Sequence, residues 1–490
     1  YRGFDSLVRE ALWYKLYKIG LRGKFLRAVI AMYSVCTFSV RLTTRIVTAP
    51  IRATCGVYQG CILSPTLFSI FVNDIPEYFS NEQMGFDAPK LNNRTIPTLL
   101  YADDLALLST SAEGLQRQLN RLSKYADYWM LTVNTAKTQV IVFRKGGRLS
   151  AKEKWFYKGV PLDVDSRVRY LGVWFTPRAR WSKHVETMVG QARRALFLLR
   201  RIVYGVPNLP LNFLWHLFDV LISPIVLYGS EIWGAGQYSY DVDRIETRFA
   251  KSILKLPVST ASAGVMLEMD RVLSLTWKAK LRAVKYWLKI LAMPETRYVK
   301  QAYYVQRSLK TTESWAHGVK STLFTLGFGD VWTSESPHVY RGFLSQLKLR
   351  AAAQAHGELL EDVQDKPSLE YLRRYKLQRE RDTTLMRMRG EDRRAILLGR
   401  LKCLTFTQFE VSHGVRRRKC MLCDAVITNE WDHVLEECQA LATERETTGR
   451  EIQRTIRVTS LFTPNQYAAT ARFIRRGMHL RDRRCAPSVG

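Results

Sequence analysis

The sequence has no uninterrupted apolar run of the length that a membrane helix requires. Its most hydrophobic stretch, residues 211–228, is broken by His216, Asp219 and Pro224, whereas a spanning helix needs about 20 consecutive apolar residues. No secretory signal pattern is recognisable either. We therefore expect an intracellular protein with no membrane partner.

Acidic residues are scarce compared with basic ones. The chain has 44 Asp and Glu against 75 Lys and Arg, a formal net charge of +31. Such an excess indicates a polyanionic partner, because each phosphate that a cation neutralises releases condensed counterions. Nucleic acid is favoured over a membrane surface, because no amphipathic, lysine-rich anchor stands out.

Cysteines are few and unevenly distributed, which argues against a secreted disulfide framework and for metal ligation in a reducing compartment. Four residues late in the chain have the spacing C-x2-C-x9-H-x4-C: Cys420, Cys423, His433 and Cys438. Three thiolates and an imidazole satisfy tetrahedral Zn²⁺, and a set without an open position is structural. The alternative is a group of free buried cysteines.

Two adjacent acids, Asp103 and Asp104, stand between two short apolar runs in residues 99–108. The runs predict buried strands of a hairpin whose turn carries both acids. A hard divalent cation would compensate the two charges, and paired carboxylates that hold two Mg²⁺ ions suit in-line attack on phosphorus. The alternative is an ordinary turn, which Asp also favours.

Periodicity predicts several local elements. Apolar stripes indicate helices near residues 7–19, 65–75 and 111–129, and alternation indicates a hairpin within residues 38–53 and a strand at 140–143. From residue 181 to 294 the pattern is helical, with a stripe of Ile245, Phe249, Ile253 and Leu256. Gly229 is consistent with a helix end.

The segment Tyr-Ala-Asp-Asp at residues 101–104 closely resembles the catalytic signature of reverse transcriptases. Further blocks follow the order of that family: Phe4-Asp5-Ser6, the Gln59-Gly60 loop leading into Ser64-Pro65, the segment around Lys137, and residues 170–175. Residues 226–233 and the cysteine–histidine module resemble LINE-type (non-LTR) retrotransposon proteins.

The resemblance implies an α+β fold, a right-hand polymerase palm of antiparallel sheet with helices, followed by a helical thumb, a connecting helical region and a small zinc module. We assign residues 1–180 to a partial palm, 181–294 to the thumb, 295–412 to the connecting region, 413–440 to the zinc module and 441–490 to a loosely ordered basic tail. Residues 181–294 would equally suit another basic helical bundle.

By the same resemblance, Asp103 and Asp104 are catalytic and bind two Mg²⁺ ions, and Lys137 is a general acid near the leaving pyrophosphate. The alternative for Lys137 is a solvated surface lysine. The resemblance assigns nucleotide or template contacts to Phe4, Gln59, Gly60, Ser64 and Tyr101. It assigns the primer grip to Tyr170, Leu171 and Gly172.

The family's first metal-binding Asp precedes the position of Phe4 and would fall upstream of Tyr1. We therefore expect an N-terminally truncated chain that is inactive alone. The parent would use an RNA template, a DNA primer or target and dNTPs, would carry an endonuclease domain, and would act as a ribonucleoprotein in cytoplasm and nucleus. One alternative is a non-catalytic nucleic-acid-binding remnant of a retrotransposon protein. Another is a host relative of reverse transcriptases, and the zinc module disfavours only this second alternative.

Overall fold

The structure is a computed structural model, and its chain divides into two compact units. The first comprises residues 1–181 and 294–308, and the second comprises residues 182–293 and 309–490. The residues that the structure describes are 7–41, 43, 46–80, 87–92, 94–150, 152–204, 206, 209–236, 238–309, 311–339, 341–375, 382–412, 415–452 and 461–485. Phe4 lies outside them.

The first unit has six helices among its described residues. Their bounds are Arg9–Lys18, Gly23–Ser34, Ser64–Val72, Ile75–Phe79, Ala112–Tyr128 and Tyr298–Ser308, with a 3-10 turn at Thr135–Lys137. The helix expected over 65–75 therefore ends at Val72, and a second one begins at Ile75. Pro76 explains the break, because proline cannot donate the hydrogen bond that would continue the first helix.

The strands of the first unit form separate pairs. Five are antiparallel: Thr37–Phe38 with Ile51–Arg52, Lys90–Leu91 with Arg94–Thr95, Thr98–Tyr101 with Asp104–Leu107, Phe156–Tyr157 with Val160–Pro161, and Val168–Tyr170 with Val173–Phe175. Gln139–Val140 pairs in parallel with Asp163–Val164. The expected mixture of helices and mainly antiparallel strands is thus present, and each strand has one partner among the described residues.

The core of the first unit explains where its motifs stand. Leu7, just before the first helix, and Leu12 and Leu16 within it are buried at 1% exposure or less. They pack in one cluster with Phe68 and Phe71. A smaller cluster gathers Leu119, Val140, Trp155, Tyr157 and Leu162. Both clusters lie under the hairpin of residues 98–107, whose Leu107 contacts each of them.

Among its described residues, the regular structure of the second unit is helical except for one hairpin. Its helices are Ser182–Tyr204, Leu211–Leu217, Ser223–Val226, Ser230–Trp233, Ser239–Ile253, Ser262–Glu268, Leu275–Leu291, Trp315–Thr325, Gly329–Ser334, Phe343–Gln364, Glu370–Tyr375, Thr383–Arg387, Gly390–Arg400, Glu430–Asp432, Ala442–Ile452 and Tyr467–Cys485. A π-helical turn spans Phe218–Ile222, and another spans His433–Glu437. The hairpin pairs Thr407–Ser412 with Val415–Cys420.

Gly229 precedes a helical turn in the second unit rather than ending one, because it is the N-cap of Ser230–Trp233 and the turn before it is capped by Leu227. It has a left-handed φ of +66° between the turns Ser223–Val226 and Ser230–Trp233. The neighbouring Tyr228 carbonyl accepts a hydrogen bond from the Trp233 indole at 2.9 Å and lies 3.0 Å from His184 Nε2. The segment 226–233 is therefore a tightly bonded corner.

The C-terminal segment is more ordered than expected. Residues 442–452 and 467–485 are helical, and the second helix buries Ala471, Phe473 and Ile474. The expectation of a loosely ordered tail is wrong for these residues. The reason is that this helix is amphipathic, with apolar residues on the packed side and arginines on the other.

Within the described part of the chain, no helix combines the length and the apolar character that a bilayer crossing demands.

Candidate active site and metal centre

Residues 98–107 form the acidic hairpin. Thr98 pairs with Leu107 and Tyr101 pairs with Asp104, so that Ala102 and Asp103 form a two-residue turn. Ala102 has a left-handed φ of +50°, the conformation that tight hairpin turns require. The expectation that the turn carries both acids needs correction, because Asp104 is the first residue of the second strand.

The two faces of the acidic hairpin differ. Leu100 and Leu105 pack on the apolar core, and side chains alternate along a strand. Tyr101 and Asp104 therefore lie together on the opposite face. Tyr101, Asp103 and Asp104 are all exposed, and neither carboxylate has an ion-pair partner within the described residues. The hairpin thus presents two carboxylates to solvent.

A second hairpin brings a tyrosine beside Asp104. Tyr170 pairs with Val173, and Leu171 and Gly172 form a turn with φ values of +47° and +80°. Burial raises the pKa of Tyr170, and the charge of the Asp104 carboxylate raises it further. The two motifs, far apart in sequence, are therefore close in space.

The Gln59-Gly60 loop is exposed, and a buried arginine supports it. Arg9 donates to the carbonyls of Ala53 at 2.6 Å and Gly56 at 3.0 Å, and to the Tyr58 hydroxyl at 3.1 Å. Gly60 has a φ of +86°. Arg9 therefore holds the chain just before the loop, in a position that no motif predicted.

Ser64 has a supporting position rather than an exposed one. It is 1% exposed, its hydroxyl lies 3.2 Å from the Tyr33 hydroxyl, and it is the first residue of the helix Ser64–Val72. It does not cap that helix with its side chain. Ser64 therefore fixes the junction between loop and helix.

Lys137 is exposed at the end of its 3-10 turn. Among the contacts of the described residues, none joins its ammonium group to Asp103 or Asp104. The structure thus pairs Tyr101 with Asp104 and brings Tyr170 within electrostatic reach of Asp104, and no described contact links Lys137 to this group.

Sequence reasoning also missed Lys15. This residue is 5% exposed and donates to the Phe71 carbonyl, the Asp74 carboxylate and the Tyr125 hydroxyl at 2.6, 2.7 and 2.9 Å. Arg9 and Lys15 lie three residues before and after Leu12 and therefore share its buried face. The sequence signal that could have identified both residues is the presence of two cations on the apolar stripe of a predicted helix.

The cysteine–histidine cluster forms where the hairpin Thr407–Cys420 meets the turn His433–Glu437. The Sγ atoms of Cys420, Cys423 and Cys438 and a ring nitrogen of His433 all lie within 4.8 Å of one another. Cys420 and Cys438 are fully buried, and His433 is 6% exposed. Spacing along the chain and proximity in space agree for all four residues.

The distances in this cluster fit a tetrahedral cation. Zn–S bonds of about 2.3 Å and a Zn–N bond of about 2.0 Å place two sulfurs about 3.8 Å apart and a sulfur and a nitrogen about 3.5 Å apart. The Cys420 and Cys438 sulfurs are 3.9 Å apart, and Cys423 Sγ lies 3.2 Å from His433 Nε2. The donor set therefore matches Zn²⁺ in chemistry and in size.

Neighbouring groups prepare the ligands. The Leu422 amide points at Cys420 Sγ at 3.4 Å, and His433 Nδ1 lies 3.4 Å from a Glu437 oxygen, which leaves Nε2 for a cation. The contact with Cys438 lowers the pKa of Cys420 to about 4 and raises that of Cys438. Crowded thiols bind a cation in exchange for their protons.

Comparisons with known proteins point to one family. Residues 1–175 match the family described as reverse transcriptase (RNA-dependent DNA polymerase). A probable RNA-directed DNA polymerase from transposon BS of Drosophila melanogaster is 30% identical over 210 residues, 41% of this chain and 22% of that protein. The RNA-directed DNA polymerase from mobile element jockey of the same fly is 23% identical over 213 residues, 42% of this chain and 22% of that protein.

A third relative is a retrovirus-related Pol polyprotein from the type-1 retrotransposable element R2 of Popillia japonica. It is 26% identical over 216 residues, 42% of this chain and 34% of that protein. The matched region thus spans between 22% and 34% of these three relatives. The resemblance to non-LTR retrotransposon reverse transcriptases is confirmed.

Proposed function

We propose that this chain, whose residues 1–175 belong to the reverse transcriptase family, is part of a non-LTR retrotransposon polymerase that extends a primer 3′-hydroxyl with dNTPs on an RNA template. The observation that carries the proposal is the exposed pair Asp103 and Asp104 with Tyr170 beside it. The DNA primer or target and an endonuclease domain elsewhere in the parent protein are parts of the same proposal.

Asp103 and Asp104 are suited to hold Mg²⁺. Their carboxylates are exposed, without an ion-pair partner among the described residues, and stand on a hairpin that the core anchors. Mg²⁺ takes one or two carboxylates together with waters and substrate phosphates. When bound, it supplies positive charge to the reacting phosphate and lowers the pKa of the attacking hydroxyl.

The second hairpin positions the primer in this proposal. Its turn is tight, because Leu171 and Gly172 both have positive φ, and Tyr170 is held beside Asp104. A rigid turn at this point would hold the primer end at the carboxylates, and such positioning lowers the entropic cost of the reaction.

Other residues of the first unit would bind the template and nucleotide. Gly60 is exposed and has no side chain, so that a base pair can approach the backbone closely. Gln59 stands beside it, and Tyr101 shares the face of Asp104. Phe4 would select against a ribose, and Lys137 would protonate or neutralise the leaving pyrophosphate.

We also propose that Cys420, Cys423, His433 and Cys438 bind a structural Zn²⁺. The four ligands leave no open position, and their surroundings are buried. The formal charge of +31 supports contact with nucleic acid along the rest of the chain.

Primer extension on an RNA template with Mg²⁺ tests the polymerase. We would compare the 490-residue chain with a form that carries natural sequence before Tyr1, since the family resemblance assigns a further metal-binding Asp there. Asp103→Asn in the active form should reduce extension by at least about 100-fold. Asp163→Asn, an exposed strand residue of the same unit, is the matched control and should remain active.

A different outcome would support the remnant hypothesis. If every form folds and binds template–primer but none extends it, the chain is a nucleic-acid-binding protein without polymerase activity. Extension that survives Asp103→Asn would refute the assignment of the catalytic carboxylates.

A further inference from the structure

The second unit contains a cavity that the polymerase proposal does not use. Its volume is about 780 Å³, within the range of ligand sites. It lies where the C-terminal ends of the helices Ser182–Tyr204 and Ser239–Ile253 meet the start of Leu211–Leu217 and residues 383–393. We call it the basic pocket.

The charge of the basic pocket has one sign. Five cationic side chains line it: Arg200, Lys255, Arg387, Arg389 and Arg393. The described residues contribute no carboxylate to the lining. Acids nearby in sequence have other partners. Glu391 and Asp392 pair with Arg475 at 3.0 and 2.8 Å, and Asp382 pairs with Arg400 at 3.2 Å. The lining of the basic pocket therefore suits an anion.

The rim of the basic pocket is arranged by internal hydrogen bonds. Arg393 Nη1 donates to the carbonyls of Met386 and Met388 at 3.0 and 3.3 Å. These bonds hold the turn that carries Arg387 and Arg389, whose side chains are exposed. Two cations are thus presented on a fixed segment, which reduces the entropic cost of binding.

An aromatic ring stands at the same pocket. Tyr204 is 60% exposed, yet its hydroxyl is held 3.1 Å from Ser252 Oγ, and the Arg200 guanidinium lies 5.9 Å from the ring centre. The floor is apolar, with Leu211, Leu214 and Phe249 buried. A fixed, exposed ring beside cations is the arrangement on which bases stack while phosphates are neutralised.

We infer that the basic pocket binds a nucleotide of single-stranded nucleic acid, with a base against Tyr204 and the flanking phosphates on Arg387 and Arg389. An acidic protein segment would pair with the cations but has no base to stack on the exposed ring of Tyr204. The pocket therefore favours nucleic acid as its occupant. The inference rests on the proposed function for its ligand class, nucleic acid, and adds a defined site, because every residue involved lies in the second unit.

The test measures binding of the full chain to a fluorescently labelled oligouridine of ten nucleotides by anisotropy. Arg387→Glu with Arg389→Glu should weaken binding at least about tenfold. It should also reduce the slope of log K against log salt by about 1.4, which is about 0.7 for each of the two phosphates that these arginines neutralise. Lys348→Glu with Arg450→Glu reverses two exposed cations elsewhere in the unit and should change affinity no more than about twofold. Thermal unfolding midpoints show that each variant is folded.

Substitutions at Tyr204 measure the contribution of base stacking separately from that of charge. Tyr204→Leu should weaken oligouridine binding about fivefold or more, and Tyr204→Phe, which keeps the ring, about twofold at most. A decaglutamate peptide is the second probe. If the charge reversal weakens binding of both probes equally and Tyr204→Leu has no effect, the pocket belongs to an acidic protein segment and the inference is overturned.

If the reversed-charge variant at Arg387 and Arg389 behaves as the control variant does, the pocket does not bind nucleic acid and the inference is wrong. The double variant at Arg387 and Arg389 is judged on oligouridine binding alone, without dNTPs, and Asp103→Asn is judged on primer extension alone. Failure of the polymerase proposal and failure of this inference are therefore distinguishable.

Discussion

The ammonium group of Lys15 lies 2.7 Å from the Asp74 carboxylate and 2.9 Å from the Tyr125 hydroxyl, beneath the surface of the first unit. It also stands 3.8 Å from the centre of the Trp129 ring. Three segments distant in sequence are thereby joined through one cation: the first helix, the end of the helix Ser64–Val72, and the helix Ala112–Tyr128.

Lys15→Met should destabilise the first unit by about 1–3 kcal/mol, because the apolar stem is kept while buried acceptors lose their donor. Urea unfolding followed by tryptophan fluorescence measures this, with Trp129 as a nearby reporter. Lys18→Met, on the exposed side of the same helix, is the control and should stay within about 0.5 kcal/mol. Equal stability of both variants would show that the network contributes nothing.

Purified under reducing conditions, the chain should contain one equivalent of zinc, measured by inductively coupled plasma mass spectrometry. Chelation should lower its thermal midpoint, because binding to the folded ligands contributes to folding. Cys423→Ser should lose most of the metal, whereas Cys55→Ser, at an exposed cysteine outside the cluster, should retain it. A metal-free protein with an unchanged midpoint on chelation would contradict the assignment.

Asp243 should give the second unit a pH-dependent stability. Burial raises its pKa to about 6 from an ordinary 3.8, although the Thr276 amide, which donates to it at 2.9 Å, opposes the rise. The negative charge of the neighbouring Glu246 raises the pKa of Asp243 further. The folded chain therefore holds a proton that the unfolded chain releases, and the free energy of unfolding falls as pH rises between about 4 and 6, by roughly 3 kcal/mol.

Asp243→Asn should flatten this decline and stabilise the protein at pH 7, since an asparagine oxygen can still accept from Thr276. Urea unfolding at pH 4.5 and pH 7 measures the difference. Asp241→Asn changes an exposed acid on the same helix and should preserve the slope. A slope that survives in Asp243→Asn would mean that another group titrates.

Gly318 and Gly357 form a matched pair of helical glycines. A Cβ at Gly318 would lie 2.3 Å from the Ala235 carbonyl oxygen, whereas one at Gly357 would meet nothing within 4 Å. Gly318→Ala should therefore destabilise the second unit by about 1–3 kcal/mol. Gly357→Ala should stabilise it by about 0.5–1 kcal/mol, the ordinary helix gain of alanine. Thermal unfolding measures both, and a gain at both positions would contradict the close packing at Gly318.

Much of the local structure was predictable from apolar spacing. Leu7, Leu12 and Leu16 are buried as their stripe indicated, but Ile19 is 58% exposed because the helix ends at Lys18. The strand expected over 140–143 pairs only at Gln139–Val140. Periodicity identifies the buried face of an element and is weak at its ends, where tertiary contacts decide how far pairing continues.

The sequence by itself predicted the residues of the two candidate sites, because the acidic pair and the cysteine–histidine set each have a short, characteristic spacing. Only the tertiary structure decided the rest: that Asp104 lies beside Tyr170, that Arg9 and Lys15 are buried, and that five cations line one pocket to which the described residues add no acid. The physical reason is that a motif depends on contacts between near neighbours in the chain. Burial and long-range pairing depend on which distant segments the core brings together, and no local pattern encodes that.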